Sequence, residues 1–477
     1  MRVMEQQRVY PRGRSGAVGR KALIHLTEAI LVAVQTLLFC GLWWIVYSSL
    51  GTTNHPFAVL ESWGITLGYL LLYRLFAGIY GGFQVGNASA PEIIYSLALA
   101  QFFTLFFVYF LACLVVWQVL NPLFFLGLWA VGCVTAALWT LLDTRLYQRL
   151  FPPKKSCIIY GHVEAYQEVL PLKKMCKRFR IEGEWPVSIG MDALCRHLAD
   201  MEAVFLCGLH ASDRNKLLKF CIENHIEVYA RPKIGDLLLG GAEKTHLQNM
   251  PFLHCSRNHT SLLYQVVKRG MDICMSGLTL LVLSPVMAVV ALAIKLHDGG
   301  PAFYRQTRLT KDGRAFDILK FRSMRVDAEK DGVARLASAS DDRITPIGHL
   351  IRKVRMDELP QLVNILKGDM SIVGPRPERP EIAAQYAEAM PEFNLRLQVK
   401  AGLTGYAQIY GKYNTRPYEK LQMDLLYIAN QSILQDLKLI FVTVKILFMP
   451  ESTEGISEGQ ITAAGPSWES TDHKRTI

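Results

Sequence analysis

The chain lacks the cysteine patterns that build zinc sites or disulfide frameworks. Its ten cysteines include no Cys-x-x-Cys pair, and several of them lie within apolar runs. Zinc ligands come as closely spaced cysteines and histidines, and disulfide frameworks belong to small secreted domains. The sequence therefore predicts reduced thiols that face the cytosol, and it argues against both of those protein classes.

A glycine-rich dinucleotide fingerprint is also missing. Residues 151–255 alternate short apolar runs with helical stretches, which predicts a Rossmann-like soluble α/β domain with a parallel sheet. The turn after its first run, Gly161-His-Val-Glu-Ala165, has one glycine where the fingerprint needs three. Tyr229 and Lys233 have the Tyr-x-x-x-Lys spacing of short-chain dehydrogenases, but Pro232 opposes the helix that would align them. A scaffolding or regulatory role is therefore favoured over cofactor binding.

Composition indicates a membrane protein with large water-soluble parts. The 477 residues allow two or three domains, and 51% of them are hydrophobic while 19% are charged. A net charge of +11 suits nucleic acid, anionic lipid surfaces or phosphorylated substrates. Because the chain has long apolar runs, we expect membrane lipid and phosphorylated substrates as partners, and no nucleic acid.

Four apolar runs in the N-terminal third predict a helical transmembrane bundle over residues 22–150. The first run follows a basic tail, residues 1–21, and no small-residue cleavage site comes after it, so it is predicted to be an uncleaved membrane helix. The two presumed outer connections lack Lys and Arg altogether, which places the tail and the later soluble domains in the cytoplasm. The runs extend over residues 29–50, 57–77, 93–120 and 123–142.

A fifth apolar run, residues 273–294 within a predicted helix 271–296, is also long enough to cross a membrane. Lys268 precedes it and Lys295 follows it, so the positive-inside rule favours the cytoplasm for both ends. Ser284 and Pro285 lie at its centre, where a proline removes a backbone hydrogen bond and can bend a helix. We therefore predict a re-entrant membrane helix broken at these two residues. The alternative is a fifth span kinked by the proline.

Residues 256–450 are predicted to form a mainly α-helical catalytic domain, because the part from residue 297 onwards is soluble in composition and dense in Arg, Lys and Gly. Asp357 and Glu358 open a predicted helix that has Pro360 in its first turn and ends at Gly368. Taken alone, Asp357 is interpreted as an ordinary helix N-cap. Adjacent acids on a helix point about 100° apart, however, so one can face a reacting phosphorus while the other holds a metal ion.

Cationic residues flank this acidic pair in sequence. Prolines on both sides of Arg376 stiffen the backbone that presents it, and a guanidinium fixed in this way suits bidentate phosphate binding. Lys320 and Arg322 add two further cations upstream. We expect these three residues to bind substrate phosphates, because a diphosphate and divalent-metal site needs cations beside acids.

The C-terminal part of the chain holds one more helix and a polar tail. Residues 433–449 predict either an interfacial helix or a helix packed on protein, with Lys438 and Lys445 outside its apolar stripe. The stripe consists of Leu437, Ile440, Phe441, Val444 and Leu447. Residues 451–477 are rich in Glu, Ser, Thr and Gly and are predicted to be disordered.

Seven ordered blocks between about residues 268 and 445 resemble the bacterial sugar transferase family, the monotopic polyprenyl-phosphate glycosyl-1-phosphate transferases. With four preceding spans and an intervening α/β unit, the whole chain resembles the long members of that family. One departure is Lys400-Ala-Gly402, where many members have Lys-Pro-Gly. The blocks are Lys268-Arg-Gly-Met-Asp272, Gly300-Pro-Ala-Phe-Tyr-Arg-Gln306, Lys320-Phe-Arg-Ser-Met324, Asp357-Glu-Leu-Pro-Gln361, Gly368-Asp-Met-Ser371, Gly374-Pro-Arg-Pro377 and Gly402-Leu-Thr-Gly405.

The resemblance implies a reaction and a role for each candidate residue. Asp357 would attack the sugar-bearing phosphorus of a UDP-sugar, releasing UMP, and undecaprenyl phosphate would then accept the sugar phosphate. Mg²⁺ would be held by Glu358, with Asp424 of the block Lys420-Leu-Gln-Met-Asp424 as a second candidate ligand. The phosphate-binding cations would neutralise the developing charge.

The implied setting is the bacterial inner membrane, with the catalytic domain on the cytoplasmic face, at the first step of exopolysaccharide, capsule or O-antigen synthesis. Two alternatives stay open: a non-catalytic scaffold or regulator of polysaccharide assembly, and a membrane-bound nucleotide-sugar dehydratase or epimerase. The missing glycine fingerprint argues against the second alternative. The sugar and any homo-oligomer are not specified by the sequence.

Overall fold

Two structural units make up the chain in the computed structural model, Met1–Arg231 and Pro232–Ile477. The first holds the N-terminal apolar helices and a parallel α/β sheet, and the second holds the candidate catalytic residues. The expected tail 451–477 and most of the basic tail lie outside the described residues. The structure describes residues 14–49, 58–163, 165–166, 178–257, 260–325, 343–411 and 415–447.

Four long helices in the first unit match the four predicted spans. Each helix packs against the next, and α1 also packs against α4, which gives a four-helix bundle. All four are long and apolar enough to cross a membrane. Their bounds are α1 Arg14–Ser49, α2 Ala58–Tyr80, α3 Ala90–Val116 and α4 Pro122–Leu150.

Short-range sequence features explain how this bundle is built. Asn121 accepts a hydrogen bond from the backbone N–H of Leu123, and Pro122 occupies the first turn, so the predicted break at this point begins α4. Gly132 lets α3 and α4 approach closely, because a Cβ at this position would lie 1.7 Å from Gln101 Nε2. Gln35 on α1 donates to the Gly132 carbonyl at 3.0 Å, so the same residue of α4 also joins α4 to α1.

The α/β part of the first unit has the predicted parallel sheet. Its strand order is β2-β1-β3-β4, and every neighbouring pair is parallel. The central strands are buried as continuous apolar runs, as expected for a sheet covered on both faces. Its elements are β1 Lys154–Tyr160, β2 Phe179–Pro186, α5 Met191–Leu198, β3 Ala203–Cys207, α6 Ala211–Glu223 and β4 Glu227–Ala230.

The single glycine after β1 has a packing reason. A Cβ at Gly161 would lie 2.2 Å from the carbonyl oxygen of Gly208, and the Gly161 N–H donates to the Cys207 carbonyl at 3.0 Å. The glycine therefore permits the ends of β1 and β3 to approach closely. Tyr229 lies in strand β4, and Lys233 directly precedes the next helix, Ile234–Gly240. The two residues are therefore not on one helix.

The described residues of the second unit form one long apolar helix, three two-stranded sheets and several short helices. The β5-β6 and β7-β8 pairs are antiparallel, and the β9-β10 pair is parallel. Its strands are β5 Glu243–Leu247, β6 Met250–His254, β7 Phe303–Leu309, β8 Ala315–Phe321, β9 Met370–Val373 and β10 Ala401–Thr404. Its helices are α7 Ile234–Gly240, α8 Leu262–Asp298, α9 Pro346–Lys353, α10 Gln361–Lys367, α11 Pro380–Ala389, α12 Tyr406–Tyr410, α13 Pro417–Ala429 and α14 Ile433–Leu447.

The helix α8 contains the predicted re-entrant segment. It is assigned as one continuous helix of 37 residues with Pro285 inside it, and Ser284 Oγ donates to the Leu281 carbonyl at 2.9 Å. The helical assignment therefore continues through the two residues that were expected to break it. Only 6% of the residues in its most apolar stretch are buried, so this stretch keeps a large exposed apolar surface. A re-entrant course stays a prediction.

The first block of the family pattern attaches the start of α8 to the rest of the unit. Arg269 donates to the carbonyls of Ile365 and Leu366 at 2.7 and 2.8 Å, which gives carbonyls at the end of α10 a side-chain partner. Asp272 is buried and accepts hydrogen bonds from Ser371 Oγ and the Ile372 N–H, at 3.1 and 3.0 Å. These contacts connect α8 to α10 and β9.

The helix α14 packs on protein through a different face from the predicted stripe. Its buried residues are Asp436, Leu439, Val442 and Lys445. The expectation that Lys445 lies away from the packed face is therefore wrong. Asp436 is buried because it has partners: it accepts from Lys268 Nζ at 2.8 Å and from two tyrosine hydroxyls.

We predict that Asp436→Ala lowers the free energy of unfolding by about 3–5 kcal/mol, because it leaves Lys268 without its buried counter-ion. Arg257→Ala removes an ion pair whose two side chains are 62% and 59% exposed, and we expect a loss below about 1 kcal/mol. Unfolding of both variants in the same detergent measures the difference. Equal losses would contradict this assignment of the buried pair.

Candidate functional site

The acidic pair lies in a short turn rather than at a helix N-cap. Residues Met356–Glu358 form a 3₁₀ turn, and α10 begins only at Gln361. Arg355 adopts a left-handed backbone conformation, with φ of 54°, and this sharp change of direction separates α9 from the turn. The N-cap interpretation of Asp357 is therefore wrong, whereas the predicted helix end at Gly368, with φ of 94°, is confirmed.

Two cations hold the Glu358 carboxylate. Lys320 Nζ and Arg376 NH2 contact its Oε1 at 3.2 and 3.0 Å. Burial disfavours the charged carboxylate, but the attraction of Arg376 and Lys320 outweighs it and holds the pKa of Glu358 well below its usual range. Glu358 is therefore an anion that draws both cations together.

Asp357 differs sharply from its neighbour. In the part of the chain that the structure describes, no hydrogen bond or ion pair engages its carboxylate. Burial raises the pKa of Asp357, and repulsion from Glu358 adds to this, while Lys320, Arg352 and Arg376 oppose the rise. Asp357 is thus an unengaged carboxylate beside a cluster of positive charge.

Lys320 reaches the pair because α10 holds its strand. Asn364 on α10 donates to the Asp317 carbonyl at 2.9 Å and accepts from the Leu319 N–H at 3.0 Å. These two bonds connect the side of α10 to the backbone of β8 next to Lys320. Burial lowers the pKa of Lys320, and the attraction of Glu358 opposes that effect.

Arg322, two residues further on, lies in a different environment. Its guanidinium forms an ion pair with Asp298 at the end of α8, and its side chain is only 6% exposed. Gly300 leaves room for it, because a Cβ there would lie 1.9 Å from Arg322 NH1. The structure therefore joins Arg322 to the end of α8, and no contact joins it to Glu358 among the described residues.

Arg376 projects from the loop that follows β9. Its side chain is 44% exposed, and attraction to Glu358 raises its pKa. Gly374 lets this loop approach β10, because a Cβ there would lie 2.4 Å from the Lys400 carbonyl oxygen. Arg376 is consequently the most accessible of the cations that contact Glu358.

Asp424 was predicted to be a metal ligand. It is buried on α13, with 1% of its side chain exposed, and forms an ion pair with Arg396 at 2.8 Å. Burial is the main reason that its pKa rises to about 6, although the Arg396 guanidinium opposes the rise. No group of three acidic, histidine or cysteine side chains that could hold a metal occurs within the described ranges.

Sequence reasoning missed three polar residues around the site. Asn364 connects α10 to β8, Arg396 donates to the Arg376 carbonyl at 2.7 Å, and Arg308 donates to the Pro377 carbonyl at 3.2 Å. Burial lowers the pKa of Arg308 to about 10. Of the three, Asn364 alone had a signal in the sequence, because it interrupts the otherwise apolar run of residues 362–366.

We predict that Asp424→Asn alters how stability depends on pH. The pKa of Asp424 is raised from 3.8 to about 6 in the folded state, so its contribution to stability is present below about pH 4 and is lost as the pH rises through 6. The variant should gain stability relative to wild type over that interval, by on the order of 3 kcal/mol. Unfolding at pH 4 and pH 7 tests this, and a constant difference would contradict it.

The family model described as bacterial sugar transferase matches residues 263–450. The UDP-N-acetylgalactosamine-undecaprenyl-phosphate N-acetylgalactosaminephosphotransferase of Aeromonas hydrophila is 36% identical over 240 residues, which cover 50% of this chain and 56% of that protein. The UDP-glucose:undecaprenyl-phosphate glucose-1-phosphate transferase of Escherichia coli strain K12 is 43% identical over 185 residues, covering 38% of this chain and 40% of that protein.

A shorter relative is matched over nearly its whole length. The exopolysaccharide production protein PSS of Rhizobium leguminosarum bv. phaseoli is 43% identical over 188 residues, which cover 38% of this chain and 94% of that protein. By contrast, the chain spans about half the length of the two longer relatives, or less. The predicted resemblance is confirmed: the chain belongs to the bacterial sugar transferase family.

Proposed function

We propose that this protein transfers a sugar 1-phosphate from a UDP-sugar to undecaprenyl phosphate, as the first step of exopolysaccharide, capsule or O-antigen synthesis. The observation that carries the proposal is the contrast between the two acids. Glu358 holds Lys320 and Arg376, whereas Asp357 has an unengaged carboxylate beside them. The names of the relatives, which include UDP-sugar and undecaprenyl-phosphate transferases, support the same reaction.

Asp357 is the proposed nucleophile. One of its carboxylate oxygens attacks the sugar-bearing phosphorus of the donor, the phosphorus–oxygen bond to UMP breaks, and UMP leaves with that electron pair. The enzyme then carries an acyl phosphate that bears the sugar. An oxygen of undecaprenyl phosphate attacks the same phosphorus, which releases the Asp357 carboxylate and forms the diphosphate-linked sugar.

The cations solve the main difficulty of this chemistry. A carboxylate is a weak nucleophile towards an anionic diphosphate, so neutralising the phosphate charge is the larger part of catalysis. Arg376 is accessible and can bind phosphate oxygens in a bidentate manner, and Lys320 adds a second positive charge. Glu358 keeps both cations in place, and Asp357 is not needed for that pairing and can act as the nucleophile.

The acidic pair fits Mg²⁺, which proteins bind through one or two carboxylates together with substrate phosphates. Lys320 and Arg376 both contact Glu358 through Oε1, so its second oxygen would hold the ion, together with the donor's phosphates. The ion would supply further neutralisation of phosphate charge. Asp424 does not fit this role, because it is enclosed by protein beside Arg396.

We further propose that the catalytic unit lies on the cytoplasmic face of the bacterial inner membrane, where nucleotide sugars are made. The helix α8 then enters and leaves the same leaflet, bent at Ser284 and Pro285. Cationic residues at both ends of the helix, such as Lys268 and Lys295, support this orientation.

Asp357→Asn should abolish UMP release, because an amide oxygen cannot form the acyl phosphate. We expect a loss of at least about 10³-fold in rate. The measurement is UMP release from a panel of UDP-sugars by purified protein with Mg²⁺ and undecaprenyl phosphate.

Asp317→Asn is the matched control, since Asp317 accepts a hydrogen bond from Thr307 at 3.0 Å on the same hairpin as Lys320 and should leave the rate unchanged. Labelled sugar phosphate should remain on wild type and be absent from Asp357→Asn when the acceptor is withheld. Release by neither protein, with any donor, would favour the non-catalytic scaffold.

Fusion of a fluorescent reporter to the C terminus tests the proposed orientation. If the C terminus lies in the cytoplasm, a fluorescent reporter that matures only there should fluoresce. Alkaline phosphatase fused at the same position should stay inactive. A phosphatase fusion after residue 120, between α3 and α4, is the control and should be active. Active phosphatase at the C terminus would instead show that α8 is a fifth span.

A further inference from the structure

Arg396 is a buried arginine that contacts the Arg376 loop, residues 374–379 between β9 and α11. Its NH2 donates to the Arg376 carbonyl at 2.7 Å, and its NH1 lies 3.6 Å from Glu378 Oε1. Two points of the loop, two residues apart, are therefore attached to one guanidinium. Only 6% of the Arg396 side chain is exposed, so these contacts lie out of solvent.

Elements from two other parts of the second unit fix Arg396 itself. It belongs to the 3₁₀ segment Pro391–Gln398, and its guanidinium lies 4.9 Å from the centre of the Phe393 ring. Asp424 on α13 approaches the same guanidinium at 2.8 Å. A buried guanidinium needs an opposite charge and hydrogen-bond acceptors, and Asp424, Glu378 and the loop carbonyl supply them.

This anchor matters because Arg376 has a long side chain that is 44% exposed. A phosphate-binding group must be held to about 0.5 Å to act effectively, and a flexible side chain on a mobile loop would not be. Glu358 restrains the tip of the side chain, while Arg396 restrains its backbone. The two restraints act on opposite ends of the same residue.

We propose that Arg396 is a positioning residue that fixes Arg376 for binding the donor's diphosphate, and that Asp424 is the buried counter-ion of Arg396 rather than a metal ligand. The first half rests on the proposed function, since that function makes Arg376 a phosphate-binding residue. The enclosure of Asp424 carries the second half: Mg²⁺ keeps several waters when it binds, and a carboxylate with 1% exposure offers it none.

Diphosphate binding by full-length protein in nanodiscs tests the positioning role without relying on activity. The probe is inorganic pyrophosphate at saturating Mg²⁺, titrated calorimetrically at a temperature where every variant is folded. Arg396→Lys keeps the charge but lacks the planar fork that reaches the loop carbonyl and both acids. We expect it to weaken binding by roughly 2- to 150-fold, the range that corresponds to the coupling between two residues in contact, here Arg396 and Arg376.

Arg314→Lys is the matched control, since Arg314 pairs with Asp369 and is 59% exposed, and it should bind like wild type. In an Arg376→Lys background, adding Arg396→Lys should cost less than about threefold, because the residue it positions is already altered. A full additive loss in the double variant, or unchanged binding by Arg396→Lys, would overturn the positioning role.

Asp424→Asn separates a counter-ion from a metal ligand. The Mg²⁺ concentration that half-saturates pyrophosphate binding should stay within about twofold of wild type, while pyrophosphate affinity itself falls as it does for Arg396→Lys. A rise of about tenfold or more in that Mg²⁺ concentration would overturn the counter-ion assignment. Normal binding by wild type without UMP release from any donor would refute the proposed reaction and leave the positioning role standing.

Discussion

The ion triad of Glu358, Lys320 and Arg376 is the constraint on which the rest of the catalytic unit depends. Two cations and one anion come from three separate segments, and each would be costly to hold near the others without its partners. Burial alone would favour a neutral lysine and a neutral acid, yet the attraction between them keeps Glu358 charged. Positive charge is thereby concentrated beside Asp357, whose own carboxylate is left out of the pairing.

Several of the family's sequence blocks can be understood as attachments that bring these three segments together. Arg269 and Asp272 connect α8 to α10 and β9, so the loop of Arg376 starts from a fixed strand. Asn364 connects α10 to β8 and thus sets the position of Lys320 relative to the acidic turn. Gly374 allows the loop to lie against β10. Arg269, Asp272 and Gly374, which belong to the family's blocks, therefore hold the segments of the site together.

Hydropathy was sufficient to predict the four N-terminal helices, the parallel sheet and the long apolar helix, because each needs only a run of suitable residues. It could not predict which charges would pair. Lys320 and Arg322 are two residues apart, yet one contacts Glu358 and the other contacts Asp298. The N-cap interpretation of Asp357 failed because Arg355 reverses the chain, and sequence propensity does not favour a left-handed arginine.

The buried Asp424 illustrates how the unit accepts a local cost in order to hold its loop. The pKa of Asp424 is raised to about 6 in the folded protein. At neutral pH the charged carboxylate therefore has a higher free energy in the folded protein than in the unfolded chain. An apolar residue would avoid that cost, but it would leave Arg396 facing only Glu378, at 3.6 Å, and the loop carbonyl. With Asp424 present, the buried guanidinium has a close counter-charge at 2.8 Å in addition to its hydrogen bond to the loop carbonyl. Local stability is thus given up to fix the direction of Arg376.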